Sequence, residues 1–263
     1  MEMKRVLSIA GTDPTGGAGM QADLKTITAH KMYGMSVITS LVAQNTMGVY
    51  GFIDTPADFV GKQIDCVMED IFPDAVKIGM VSAPAIIEVI VSKLLQYKAK
   101  HIVVDPVMVS TSGGKLLSDN AMDALIGKLI PISEMITPNI PEAEILCGSK
   151  FAIHNRQDMV RAAEKIAEFY TGYILVKGGH LEDASDDLLY YQGKVIWFTC
   201  EKVDNPNTHG TGCTLSSAIA CNLAAGLPVE ESIRNAKEYI TDALKAQLNF
   251  GRGRGPLNHC CRM

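Results

Sequence analysis

Residues 75–105 limit the fold more than any other stretch. Two short apolar runs, Ala75–Ile78 and His101–Asp105, bracket the clearest helix in the chain. Between them Ile86, Ile90 and Leu94, with Ile87, Val91 and Leu95, recur every four residues and form one apolar face. Ser82 and Pro84 suit the start of that helix. The alternation continues on both sides. Arg5–Ala10, Ser36–Ala43, Glu134–Thr137 and Tyr173–Lys177 have strand length, while Met20–Tyr33 and Asp158–Tyr170 have helical spacing. Leu188–Tyr191 and Val195–Phe198 flank Gln192-Gly193-Lys194 as a hairpin, and two helices, about 212–225 and 229–247, close the chain. Strands buried on both faces and alternating with helices imply an α/β fold. Its sheet is mostly parallel, with helices on each side and antiparallel strands at one edge. No linker, repeat or low-complexity tract interrupts residues 1–263, so one domain is expected. In such sheets ligands bind beyond the carboxyl ends of the strands.

Charge and cysteine usage narrow the function classes. The chain has 24 basic and 29 acidic residues, a formal net charge of −5, and no basic block. Neither non-specific nucleic-acid binding nor docking on anionic lipid is expected of it. No apolar run approaches the roughly 18–20 residues that cross a bilayer. The N-terminal run meets a Gly/Asp/Pro turn after six residues and reads as a first strand, not a secretory segment. Seven scattered cysteines with no CxxC argue for a reducing compartment, the cytoplasm, and against a structural zinc site.

The residues with chemistry gather at strand ends. The first strand runs into Gly11-Thr-Asp-Pro-Thr-Gly-Gly-Ala-Gly19 before a helix: a tight turn, or a loop that lets backbone approach an anion. It fits neither the dinucleotide fingerprint nor a P-loop. Asn207-Thr-His-Gly-Thr-Gly-Cys213 opens another helix, where Gly210 and Gly212 leave N–H groups to meet charge on a transferring phosphoryl group. Cys213 in that first turn is expected to have a depressed pKa and to accept a hydroxyl proton; the bland reading is a small buried cysteine. Asn139 and Glu142 either present an amide and a carboxylate to hydrated Mg²⁺ or form a capping box. Lys177, followed by two glycines, either reaches phosphate oxygens or is a solvated edge lysine. Asp105 follows a buried strand, and Gln44-Asn45 ends another, where amides read a heterocycle edge or cap a turn. Together these are the parts of phosphoryl transfer without a P-loop.

Seven segments in order, SIAGTDPTGGAGMQADLKT, YGMSVITSLVAQNT, DAVKIGM, VVDPVMVSTSG, ITPNIPEAEIL, VKGGH and NTHGTGCTLSSAIA, resemble the hydroxymethylpyrimidine/phosphomethylpyrimidine kinase family of the ribokinase superfamily, from Val6 to about Asn258. The resemblance implies a three-layer α/β/α fold, usually a homodimer. It implies ATP as co-substrate, Mg²⁺, and a pyrimidine phosphorylated on its hydroxymethyl oxygen and then on the resulting monophosphate. It implies Cys213 as catalytic base, with Gly210, Thr211 and Gly212 as the anion hole. Lys177, Asn139 and Thr211 are then expected on ATP. Asp105, Glu142 and Asn139 are expected around Mg²⁺, partly through water. Gln44 is the expected reader of the aminopyrimidine, and Asp23, Gly11, Ala18, Val42, Met80 and Val107 are expected around that ring. The pyridoxal kinase branch is the rival; this chain sides against it with Gln44-Asn45, Ser110 and Thr211. A non-catalytic sensor of nucleotide or thiamine precursor and a dinucleotide-dependent dehydrogenase are the remaining alternatives. The tail Gly251–Met263, with two arginines near its start and Cys260-Cys261, is left without a role.

Overall fold

The computed structural model describes residues 2–108, 117–148, 151–179, 186–200 and 203–263. The chain runs β1 (Arg5–Ala10), α1 (Gly19–Ala29), β2 (Tyr33–Ile38), β3 (Ser40–Asn45), β4 (Gly48–Asp54), α2 (Ala57–Asp70), β5 (Ala75–Ile78), α3 (Pro84–Gln96) and β6 (Ile102–Val104). It continues through α4 (Asp119–Ala124), β7 (Met135–Ile136), α5 (Ile140–Cys147), α6 (Arg156–Ile166), β8 (Tyr173–Val176), β9 (Asp187–Tyr191), β10 (Lys194–Phe198), α7 (Thr211–Ala224) and α8 (Val229–Lys245). Eight strands form one sheet in the order β10-β9-β8-β7-β6-β5-β1-β2. From β8 to β2 every pairing is parallel, and β9 and β10 add an antiparallel edge.

Period-two side chains build the two halves of the core. Leu7, Ile9, Val76, Ile78, Val104 and Ile174 face one layer, which α2 to α6 cover with residues such as Ile64, Ile90 and Ala163. Val6, Ala75, Val103 and Leu175 face the other, covered by α1, α7 and α8 through Ile27, Ile219 and Ile233. Helices therefore seal both faces, giving the expected three layers.

The stretch Ser36–Ala43 is not one strand. It divides at Thr39, between β2 in the main sheet and β3, which pairs with β4 in a separate two-stranded sheet. The side chain of Gln63 on α2 binds both the N–H and the carbonyl of Ile38, at 3.0 and 3.2 Å, and so ends the edge strand there. Thr39 then donates its hydroxyl to the Met80 carbonyl at 2.8 Å, turning the chain away from the sheet. Two expected helices are shorter than their apolar spacing suggested, α1 ending at Ala29 and α6 at Ile166. The segment after α8 returns across the carboxyl end of the sheet. There the Gly255 N–H binds the Asn207 side chain, and the Gly255 carbonyl accepts the His209 N–H.

Candidate active site

Both glycine-rich segments sit beyond the carboxyl end of the sheet and are fastened to each other. Asp13, absent from the sequence-based set, is the fastening. It is completely buried. Its Oδ1 accepts the Thr15 N–H and hydroxyl at 2.9 and 2.8 Å. Its Oδ2 accepts the N–H groups of Gly17 and Ala18 and stands 2.9 Å from His209 Nε2 in the second loop. Burial opposes its charge, but the hydrogen bonds from His209, Thr15 and Ala18 prevail and hold the carboxyl at about 2. Gly210, the residue before α7, has φ +85°, and a Cβ there would run into the Gly17 carbonyl. Only glycine permits both the backbone angle and the approach.

The second loop brings the phosphate chemistry together. A Cβ at Gly212 would stand 3.2 Å from Asp105 Oδ2 and 3.3 Å from Lys177 Nζ, so the start of α7 faces an ion pair. Within that pair Lys177 donates to Asp105 Oδ1 at 2.7 Å, and the Thr137 hydroxyl donates to the same oxygen at 2.9 Å. Lys177 is thus paired and mostly covered, not a solvated edge residue. Burial works against the Asp105 charge, yet Lys177 and Lys77 keep its carboxyl below the ordinary range.

Asn139 and Glu142 form the capping box of α5. The Asn139 Oδ1 accepts the Glu142 N–H at 2.9 Å, and Glu142 Oε2 accepts the Asn139 N–H at 2.8 Å. The Glu142 carboxylate also takes a backbone hydrogen bond from Met108, so it is held by two segments at once. Burial, reinforced by Asp105 and offset by Lys177, pushes the Glu142 carboxyl up to about 7. Among the described residues no cluster of three or more His, Cys, Asp or Glu is arranged to hold a metal ion.

Two expectations need correction. The Cys213 thiol is not acidified by its place at the start of α7. Burial, with Asp23 and Asp105 nearby, pushes it up to about 11, against the opposing pull of Lys77 and the Gly19 N–H. Desolvation outweighs the helix end. Asp23, expected at the ring, is wholly inaccessible and lies beneath the site. Its carboxylate takes both bonds of Lys77 Nζ, at 2.9 and 2.8 Å, and the hydroxyls of Ser8 and Ser217, at 2.6 and 2.8 Å.

Other residues expected at the ring lie close to one another. A Cβ on Gly11 would meet Val42 Cγ2 at 3.5 Å and Met80 Sδ at 3.6 Å. Gln44 Nε2 donates to the Thr12 carbonyl at 3.3 Å, and the Val42 N–H donates to the Thr12 hydroxyl at 3.0 Å. The hairpin is therefore pinned to the first glycine loop. Ala18 caps α1, and Val107 hydrogen-bonds back to Asp105; both are partly open. Ser110 and His180 lie outside the described residues.

Sequence reasoning also missed a cleft of about 570 Å³ between β10 and α8, lined by Phe198, Thr199, Lys237, Glu238 and Thr241. It adjoins the Lys177 turn through Asp187, which accepts Lys237 Nζ at 2.6 Å and the Gly178 N–H at 3.0 Å.

A sealed α/β/α sheet, with two glycine turns meeting at its carboxyl end beside a buried lysine–carboxylate pair, defines a kinase of the ribokinase-like class. Residues 13–258 match the family described as phosphomethylpyrimidine kinase, and the chain belongs to that family. It is 45% identical, over 256 residues and 96% of each chain, to the hydroxymethylpyrimidine/phosphomethylpyrimidine kinase of Rhizobium meliloti (strain 1021). It is also 45% identical to the thiamine biosynthesis bifunctional protein of Geobacter sulfurreducens, covering 97% of this chain but only 52% of that longer protein. Among solved structures, the Clostridium difficile 630 phosphomethylpyrimidine kinase superposes with a TM-score of 0.81 at 47% identity, covering 91% of this chain and 99% of that one. An ADP complex of Bacillus subtilis pyridoxal kinase superposes with a TM-score of 0.90 at 34% identity, covering 99% and 98%. Among the described residues no helix is long and apolar enough to cross a membrane.

Proposed function

We propose that this chain, as one kinase domain, phosphorylates 4-amino-5-hydroxymethyl-2-methylpyrimidine from ATP and then phosphorylates the monophosphate product, in thiamine diphosphate biosynthesis. The observation that carries this reading is the meeting of Gly212, Asp105 and Lys177 at the start of α7, one residue from Cys213. Backbone N–H groups of Gly210, Thr211 and Gly212 stabilise charge on the transferring phosphoryl group. Lys177, with Thr211 and Asn139, binds the ATP phosphates, exchanging part of its bond to Asp105 for phosphate oxygens. The cleft beside Asp187 takes the rest of the nucleotide.

Gly11, Val42 and Met80 pack on the pyrimidine ring, with Ala18 and Val107 at its margin and Gln44 reading its amino edge. Cys213 accepts the hydroxyl proton as the acceptor oxygen attacks the γ-phosphorus. With the thiol at about 11, the thiolate is a minor species at neutral pH, so the rate rises with alkalinity.

Mg²⁺ fits the donors present. Asp105 and Glu142 are two buried carboxylates, too few for a cage, which suits an ion that keeps most of its water and binds phosphates. Bound there, Mg²⁺ would neutralise phosphate charge.

The β3–β4 hairpin exposes Leu41, Tyr50, Phe52 and Ile53, with Ile53 73% and Tyr50 70% open. Leu41 and Ile53 pair directly across the hairpin and share one of its faces; such an exposed apolar pair marks an interface, and a second copy of the chain is its occupant. All seven cysteines are unpaired, which supports a cytoplasmic location.

The decisive experiment is ADP release with Mg-ATP, offering the hydroxymethylpyrimidine, its monophosphate and pyridoxal side by side. Turnover on both pyrimidines is expected. Turnover on pyridoxal alone would keep the phosphotransfer chemistry and overturn the substrate.

A further inference from the structure

The tail holds two cations that the site described above does not use. Arg252 and Arg254 are exposed, and neither guanidinium has a partner among the described residues. Their backbone, in contrast, is anchored on both sides of the acceptor pocket. The N–H groups of Arg252 and Gly253 donate to Thr46 Oγ1, both at 3.2 Å, and the Arg254 N–H donates to the Thr46 carbonyl at 3.1 Å. Thr46 lies two residues beyond Gln44, in the β3–β4 turn. One residue past Arg254, Gly255 binds Asn207 and His209 in the loop that leads to Gly212 and Cys213. Residues 252–255 are therefore a strap from the hairpin that holds the acceptor to the turn that handles phosphate.

We propose that Arg252 and Arg254 are specificity residues that hold the phosphate of a phosphomonoester acceptor, and so equip one site for the second phosphorylation. This rests on the two-step reading above. Charge balance supports it. A phosphomonoester brings a charge of about −1.5 to −2 at pH 7. It enters a site already containing Asp13, Asp105 and Glu142, in a chain of net charge −5. The two buried lysines there are committed, Lys77 to Asp23, and Lys177 shared between Asp105 and the ATP phosphates of the reading above. Guanidinium groups bind phosphate through two parallel N–H bonds, and a strap already fixed by hydrogen bonds loses little further freedom on binding.

The chemistry needs no additional reactant. An oxygen of the acceptor's phosphate attacks the γ-phosphorus of ATP and forms a new P–O bond. The bond between the γ-phosphorus and the bridging oxygen breaks, and ADP leaves with its electron pair. Any proton left on the acceptor phosphate passes to the Cys213 thiolate.

The test measures kcat/KM on the hydroxymethylpyrimidine and on its monophosphate for the wild type, for Arg252→Gln/Arg254→Gln and for Arg252→Lys/Arg254→Lys, at two salt concentrations. The glutamine pair is expected to lose tenfold or more on the monophosphate relative to the alcohol, mainly through KM. The lysine pair recovers part of that loss, and added salt raises the wild-type KM for the monophosphate more than for the alcohol. Activity on the alcohol reports that the variants are folded. Equal effects on both acceptors, or no effect on either, overturn the inference and leave the kinase reading standing. A wild type inactive on both acceptors refutes the two-step reading itself, and the inference with it.

Discussion

Replacing Asp13 by Asn tests how the two glycine loops are held together. The wild-type carboxyl lies at about 2 against an ordinary 3.8. At about 1.4 kcal/mol for each tenfold change in proton affinity, the fold favours the charged form by about 2 kcal/mol. Asn also turns one acceptor oxygen into an NH₂ group. That group faces either the Thr15 N–H and hydroxyl or the donors of Gly17, Ala18 and His209. A buried donor left without an acceptor costs a further ~1–3 kcal/mol. The variant should therefore unfold about 3–5 kcal/mol more easily at pH 6. The folded-state pKa is lowered, so this contribution is fully present above about pH 4 and is lost as pH falls towards 2. Urea unfolding followed by circular dichroism should show the gap between wild type and variant narrowing by about 1 kcal/mol between pH 6 and pH 3. A gap below about 0.5 kcal/mol at pH 6, or one that ignores pH, would refute the reasoning.

Cys213→Ala should lower turnover by about 10²–10⁴-fold, and wild-type kcat/KM should climb with pH towards about 11; near-normal turnover in the variant removes Cys213 as the base. Glu142, with its carboxyl at about 7, should impose an acid limb on kcat/KM near that pH, which Glu142→Gln abolishes; an unchanged limb assigns it to another group. Lys77→Met strands the Asp23 charge beneath the site and should cost about 3–5 kcal/mol, and adding Asp23→Leu should restore part of it; equal stability of the two variants contradicts the pairing. Ile53→Glu should convert a dimer to a monomer in sedimentation velocity, and a wild type that is already monomeric rejects the β3–β4 interface.

The sheet was readable because its strands are apolar on both faces and its helices repeat at period four, signals that lie within ten or fifteen residues. The hairpin was not, because β4 turns Tyr50, Phe52 and Ile53 outward and shows none of the burial alternation that marks a half-covered strand. Helix α2 was passed over as well, though Val60, Ile64 and Met68 carry the spacing. At the site, Cys213, Lys177, Asp105 and the Asn139–Glu142 pair stood out as strand-end residues. Asp13 stood out less, since an Asp before Pro in a glycine loop suggests only a turn, and His209 is remote in sequence. The Cys213 error has a general cause. A helix terminus is visible in a sequence, whereas what overrides it is burial by the folded chain, aided by the charges of Asp23 and Asp105 from two other segments.

The bond between Asp13 and His209 spans 196 residues. On a ribosome adding roughly 5–20 residues per second, the first glycine loop is made some 10–40 s before its partner. Throughout that interval β1 and its neighbours can fold, but Asp13 has no His209 imidazole beside it and the Gly17 carbonyl has no Gly210 to pack against. The residues that dock beside His209, Gly255 and Pro256, arrive later still. The fastening of the two glycine loops thus forms after the sheet is complete, and a chain cut between residues 198 and 209 holds every strand of the main sheet but not the bond that joins the loops.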